Sequence, residues 1–201
     1  MFGELTRDDV FRIETRRLWL RWPRASDAAA IAAFASLREV AQMTARVPHP
    51  YPPGAAALFI AQTQATNAAG AGLDLVITEK RGAREPVGCV GLASEDGKLS
   101  LGFIVAPAHW GKGYASEAAR VMINAAFLLT QTPAVTSCVF AGNPASTRVH
   151  AKCGFVSLGP CRLDVPLRGR IVEVERFSLS RKLWASDRPG VRHSESASCA
   201  V

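Results

Sequence analysis

The stretch from Leu101 to Ala118 limits the possible folds more than any other. It reads Leu101-Gly102-Phe103-Ile104-Val105-Ala106-Pro107-Ala108-His109-Trp110-Gly111-Lys112-Gly113-Tyr114-Ala115-Ser116-Glu117-Ala118. A β-rich run ends at Pro107, two glycines turn the chain, and an apolar helical pattern begins at once. The free N–H groups and positive dipole end of that helix lie beside the strand end, which suits a phosphate-bearing anion. Gly111 and Gly113 have no Cβ to hold such an anion off the backbone, Lys112 offers a point charge, and Ser116 a hydroxyl. A Gly-x-Gly turn read bare fits a purely structural strand–helix connection equally well.

The pattern on either side extends this unit into an α/β chain. Ile13 to Arg21 reads as a strand, and Ser26-Asp27 as the cap of an alanine-rich helix running to about Leu37. Prolines from Val47 to Pro53 force a loop, and a second helix follows from Gly54 to about Asn67. Leu73–Thr78, Val87–Leu92 and Leu99–Val105 are β-rich runs separated by Arg81-Gly82 and Asp96-Gly97, the signature of an antiparallel meander. After the helix from about Gly113 to Leu129 come a strand at Val135–Phe140 and a helix from Asn143-Pro144 to Gly154. Two last strands near Arg162–Val165 and Ile171–Leu179 complete the order. The expected units are a polar lead-in over residues 1–10, one domain over 11–184, and a disordered tail over 185–201.

Bulk properties exclude several classes. A chain of 201 residues, 48% hydrophobic and 20% charged, can bury one core. No apolar run is long enough to span a bilayer and no signal-peptide pattern opens the chain, so a cytoplasmic protein without membrane contact is expected. Cys89, Cys138, Cys153, Cys161 and Cys199 form no C-x-x-C pair and read as small core thiols. No His/Cys cluster has metal-ligand spacing, so no metal is expected. Net charge is +7, which suits an anionic partner. Aromatic residues do not interleave with the basic ones, which argues against nucleic acid.

The identity of the anion narrows with the neighbouring motifs. A dinucleotide fingerprint needs a third glycine, where Ser116 stands, and needs to follow the first strand of a βαβ unit rather than a meander. Farther on lie Asn143-Pro144-Ala145-Ser146 and Gly154-Phe155. With Trp110-x-x-Gly113-x-Ala115, they make residues from about Ile13 to Leu183 resemble the GCN5-related N-acetyltransferase (GNAT) superfamily. Within it, the resemblance is to the group that acetylates N-terminal amines of ribosomal proteins. Tryptophan at position 110 departs from the superfamily's usual Gln/Arg but is usual in that group.

The resemblance implies a single α/β (α+β) domain, with a central mixed, mostly antiparallel sheet of about seven strands and helices on both faces. It implies acetyl-CoA as acetyl donor and direct attack by a primary amine in a ternary complex. The amine would be a protein N-terminal α-amine, such as that of a ribosomal protein, or a small molecule. Residues Trp110, Gly111, Lys112, Gly113, Tyr114, Ala115 and Ser116 would hold the pyrophosphate. Phe103, Ile104 and Val105 would pair with the pantetheine arm, an N–H such as that of Ile104 would polarise the thioester carbonyl, and Asn143 would bond the pantetheine amide region. On a helix from Pro144, Asn143, Ser146 and His150 share a face, and Ser146 or His150 would protonate the leaving thiolate. Arg46 and His49, on the proline loop, would contact the acceptor. Relatives often place a general-base glutamate where Ser100 stands here; Glu95, Asp96, Asp164, Glu173 and Glu175 are the carboxylates left for that role, beside water-mediated proton loss. Two other readings stay open, a degenerate acyl-CoA-binding sensor and a basic nucleic-acid-binding module. The assembly is expected to be a monomer or a homodimer.

Overall fold

The computed structural model describes residues 1–95 and 98–186. Eight strands form one sheet in the order β1-β2-β3-β4-β5-β6-β8-β7. These are β1 (Arg12–Glu14), β2 (Leu18–Arg21), β3 (Gly72–Glu79), β4 (Pro86–Glu95), β5 (Lys98–Val105), β6 (Ala134–Phe140), β7 (Val156–Val165) and β8 (Arg170–Ser180). The helices are α1 (Ala28–Ala35), α2 (Arg38–Ala41), α3 (Ala55–Ala68), α4 (Tyr114–Leu129), α5 (Pro144–Lys152) and α6 (Arg181–Ser186). None of the helices described is long and apolar enough to cross a membrane.

Every neighbouring pair is antiparallel except β5 and β6, which run parallel with α4 as their crossover. The expected meander is β3-β4-β5. Successive residues of a strand face opposite ways, so β3 feeds two cores. Leu73, Leu75 and Ile77 join α4 residues such as Met122 and Ala126 in the larger cluster. Val76 packs instead with Ile31 and Phe34 of α1 and Ile60 of α3. Helices therefore cover both faces of the sheet, and β3, buried on both sides, reads as an apolar run from Leu73 to Ile77 broken at Asp74.

Three expectations are corrected. The stretch from Ile13 to Arg21 is a hairpin rather than one strand, which raises the strand count from about seven to eight. The turn closes because Thr15 N–H donates to the Leu18 carbonyl at 3.0 Å and Leu18 N–H to Thr15 Oγ1 at 2.9 Å. Asp27 does not cap α1. Its buried carboxylate accepts Arg21 Nη1 and Nη2 at 2.7 and 2.9 Å and Arg24 N–H at 2.7 Å, before the helix starts at Ala28. The first ten residues are not simply a polar lead-in, since Phe2 is buried in the larger cluster and its N–H bonds the Gly70 carbonyl at 3.0 Å. Of the cysteines, Cys89 and Cys153 pack against the cores while Cys138 is exposed. Most of the expected tail, residues 187–201 with Cys199, lies outside the described residues.

Candidate active site

The turn after β5 has the form its glycines require. A short 3-10 segment, Pro107–His109, leads to Trp110, and Gly111 and Gly113 then adopt φ of 75° and 78°. Those are left-handed values that a Cβ would disfavour. No side chain caps α4, whose N-cap is Gly113 itself, so the first-turn N–H groups keep the unmet capacity typical of a helix start. A Cβ placed on Gly111 would meet nothing within 4 Å, so the backbone there borders open space.

Charged side chains brace this turn from below. Glu117, on the first turn of α4, accepts Thr15 Oγ1 at 2.6 Å, Arg17 N–H at 2.9 Å and Arg17 Nε at 2.7 Å. Burial alone would raise the Glu117 carboxyl, but these bonds outweigh it and hold it below its ordinary range. Arg17 reaches on to the Lys112 carbonyl at 2.8 Å and stacks over the Tyr114 ring at 4.9 Å. Tyr114 donates its hydroxyl to Glu79 at 2.5 Å, which lowers the carboxyl and raises the phenol. His109 lies 3.4 Å from Glu79 and 3.3 Å from Lys112 Nζ. The result is a turn held by several side chains, with Arg17, Lys112 and His109 gathered at the helix start.

Between β5 and β6 the sheet opens. Only Leu99 with Val135 and Ser100 with Thr136 are paired, and the strands then part. The Ser137 hydroxyl caps the Leu101 carbonyl at 2.9 Å, just inside the fork. Strand parity decides which groups face the gap. Ala106 N–H donates to Val87 of the loop-side end of β4 at 2.8 Å, so Gly102 and Ile104 also direct their peptide groups to β4. The carbonyls of Leu99 and Leu101 take side-chain donors from β6, and so the peptide groups of Phe103 and Val105 face the opening. The expected polarising role of the Ile104 N–H is therefore corrected: that N–H is spent on the ladder to β4. Trp110, half-exposed, closes the far end by donating Nε1 to the Val105 carbonyl at 2.6 Å.

The other wall of the fork is α5. Asn143 is its N-cap, accepting the Ser146 N–H at 3.0 Å, and Ser146 stands half-buried one turn on. His150 is only 2% exposed and lies among Phe103, Phe155 and Phe177, with ring centroids 5.5, 5.1 and 5.0 Å away. Its Nδ1 is 2.8 Å from the Ser146 carbonyl, and its Nε2 has no partner. A carbonyl only accepts, so Nδ1 carries the proton of the neutral ring and Nε2 has none. Burial lowers the His150 pKa, against the pull of the Ser146 bond, and keeps the ring neutral near pH 7. The expectation that His150 protonates the thiolate is corrected on that ground, and Ser146 is left as the hydroxyl at hand.

On the opposite face of the sheet, the proline loop runs past α1 and α3. Arg46 and His49 are exposed on it, His49-Pro50 is a cis peptide, and Tyr51 packs against the smaller core. Among the expected base candidates, Asp164 and Glu173 are exposed, and Glu175 accepts the Ser157 hydroxyl at 2.6 Å. Asp96 and the Glu95 side chain lie outside the described residues. Sequence reading missed Asp74. It interrupts the apolar run of β3, and in register its neighbours are Gly91 on β4 and Gly102 on β5. Beyond the end of β2, Asn67 replaces the missing strand, accepting Asp74 N–H and donating to its carbonyl, both at 2.8 Å. Burial pushes the Asp74 carboxyl up to about 6, with the Arg46 charge pulling the other way.

Known proteins share this fold. A family model described as an acetyltransferase (GNAT) domain matches residues 17–156. An uncharacterized N-acetyltransferase, YoaA, of Bacillus subtilis (strain 168) is 30% identical over 104 residues, 50% of this chain and 59% of that protein. The chain thus spans about half the length of the curated relatives it matches. The ribosomal-protein-S5-alanine acetyltransferase of Vibrio fischeri superposes with a TM-score of 0.73 at 19% identity, over 89% of this chain and 100% of that one. The spermidine N-acetyltransferase of Vibrio cholerae, in complex with CoA and spermine, gives 0.70 at 20% identity, over 85% and 99%. At such identities the likeness is one of fold.

Proposed function

The chain belongs to the acetyltransferase (GNAT) domain family, and from that membership we propose that it transfers an acetyl group from acetyl-CoA to a primary amine. One observation carries the reading: the Phe103 peptide group and the Val105 N–H face the gap beside β6, on the strand that leads into the uncapped start of α4. An extended, amide-bearing arm can complete the β-ladder there, and its pyrophosphate end then meets the N–H groups from Gly111 to Ser116. Lys112 and Arg17 add positive charge at that end. The Phe103 N–H is the donor that would polarise a thioester carbonyl in the gap. Asn143, already engaged through Oδ1, retains its amide N–H groups for the arm. Ser146 supplies the proton to the departing sulfur, and His150 positions Ser146 and Phe103 from beneath. The acceptor, a protein N-terminus or a small amine, approaches from the loop that carries Arg46 and His49.

Melting the protein with and without acetyl-CoA tests the donor. Saturation at a hundred times the dissociation constant stabilises by about 2.7 kcal/mol, a rise of several degrees. No rise at millimolar acetyl-CoA would refute the proposal. Mass spectrometry over a panel of amines and peptides then detects acetylated product. Ser100, where relatives often have glutamate, supports a second reading, an acyl-CoA sensor. A thermal rise with no product from any amine is its outcome.

A further inference from the structure

The sheet face turned toward α1 and α3 carries a carboxylate with no task in the scheme above. Residues of one parity share that face, so Asp74, Gly91, Gly102 and Ser100 all look the same way. A Cβ built on Gly91 would lie 1.7 Å from Asp74 Oδ1, which shows the carboxyl group lying across Gly91 toward β5. A Cβ on Gly102 would meet nothing within 4 Å, so the space in front of the carboxyl is open. With neighbouring strands about 4.8 Å apart, that space admits one small polar group between Asp74 and β5. Gly102 immediately precedes Phe103, whose peptide groups face the fork from the strand's edge. The open space and the fork therefore meet on the same short piece of β5.

From this geometry we infer that Asp74 is the general base of the transfer, taking a proton from the acceptor's ammonium group over the floor made by Gly91 and Gly102. The inference rests on the acetyltransferase reading. An amine reaches the site mostly as its ammonium ion and cannot attack until one N–H proton leaves. That proton passes to the Asp74 carboxylate. The freed lone pair then forms the C–N bond to the thioester carbonyl carbon as the C–S bond breaks and its electron pair leaves on sulfur. Ser146 gives its hydroxyl proton to that sulfur, forming the thiol, and is reprotonated by the nitrogen's second proton, while Asp74 returns its own proton to solvent. The same arrangement selects the acceptor class: a cationic primary amine, drawn to a carboxylate, on a floor too narrow for branching next to nitrogen.

The groups that set the Asp74 titration are few. Burial raises it to about 6 and Arg46 on the proline loop lowers it. Cys89 on β4 is itself pushed up to about 12 by burial, with Asp74 and Asp27 adding to the rise, and so it stays a neutral thiol. Tyr51 is raised by burial and by Cys89 and is neutral as well. A carboxyl group titrating near 6 is ionised at neutral pH yet basic enough to hold a proton transiently.

The test uses the full chain with acetyl-CoA and an amine found to be acetylated in the panel above, measuring kcat/KM from pH 5 to 10. The wild type should show a lower inflection near 6. Asp74→Asn should fall about 100-fold at pH 7 and recover about tenfold per unit as pH frees the amine. Its thermal rise with acetyl-CoA should be unchanged, since the carboxyl lies on the other side of β5 from the arm. Gly91→Ala provides an independent check, because its methyl displaces the carboxyl and leaves the charge in place; it should lose activity to a similar degree. Rates within threefold of wild type at pH 7 in either variant, with the acetyl-CoA shift intact, overturn the role of Asp74 and leave the family reading standing. No acetyl-CoA shift in the wild type overturns both.

Discussion

His150 shows how one buried side chain links chemistry to stability. Its folded pKa is lowered by burial, while in the unfolded chain it titrates near its ordinary value of about 6.5. Below that pH the unfolded state holds the extra proton, so the residue's full contribution to stability is present above about 6.5 and declines as pH falls toward the folded pKa. The decline is at most about 1.4 kcal/mol per pH unit from this group. Thermal melts between pH 8 and 5 should show a shallower loss in His150→Phe than in the wild type; equal slopes would mean that the ring titrates normally. The sequence placed His150 on a helix face shared with Ser146, and the 2.8 Å bond between them follows from that spacing. It could not show which direction that face points, because the ring of phenylalanines comes from β5, β8 and the segment after α5. Asp74 was hidden for a similar reason. A lone carboxylate in an apolar run acquires meaning only when two glycines far along the chain come into register with it.

At the level of elements, the turn was legible and the fork was not. Two glycines between a strand and a helix specify a left-handed backbone locally, and both positive φ values follow. Substituting Ala at Gly113 should cost about 1–2 kcal/mol from the unfavourable conformation alone. The expected result is a melting temperature lower by a few degrees and a smaller rise with acetyl-CoA. An unchanged response to acetyl-CoA would mean that the turn does not touch the donor. Glu117 binds Thr15 and Arg17, so the start of α4 is secured by the β1–β2 hairpin, an element the sequence presented as a single strand. The widening between β5 and β6 depends on how two distant strands diverge, and no residue in either marks where pairing stops. The Ile104 assignment failed on the same point, since parity relative to β4 is a property of register.

The molecule as a whole is two sheet segments that touch along a very short seam. β1 to β5 form one and β6 to β8 the other, joined by two residue pairs and by α4. Arg168, at the tip of the β7–β8 hairpin, ties the second segment to the chain after α1, donating to the carbonyls of Ala41 and Thr44 at 2.6 and 2.8 Å and stacking over Phe140 at 4.7 Å. This tie connects the second segment to the loop that carries Arg46 and His49. The seam makes the fork visible to proton exchange with solvent. Along β5 the amides of Gly102 and Ile104 are locked to β4, while those of Phe103 and Val105 face the gap. In deuterated water the free protein should therefore lose its label residue by residue in alternation, slow at the even positions and fast at the odd. If the donor completes the ladder, that alternation disappears on adding acetyl-CoA: a single strand then reports occupancy of the site as a change of rhythm, with every second amide serving as the internal standard for its neighbour.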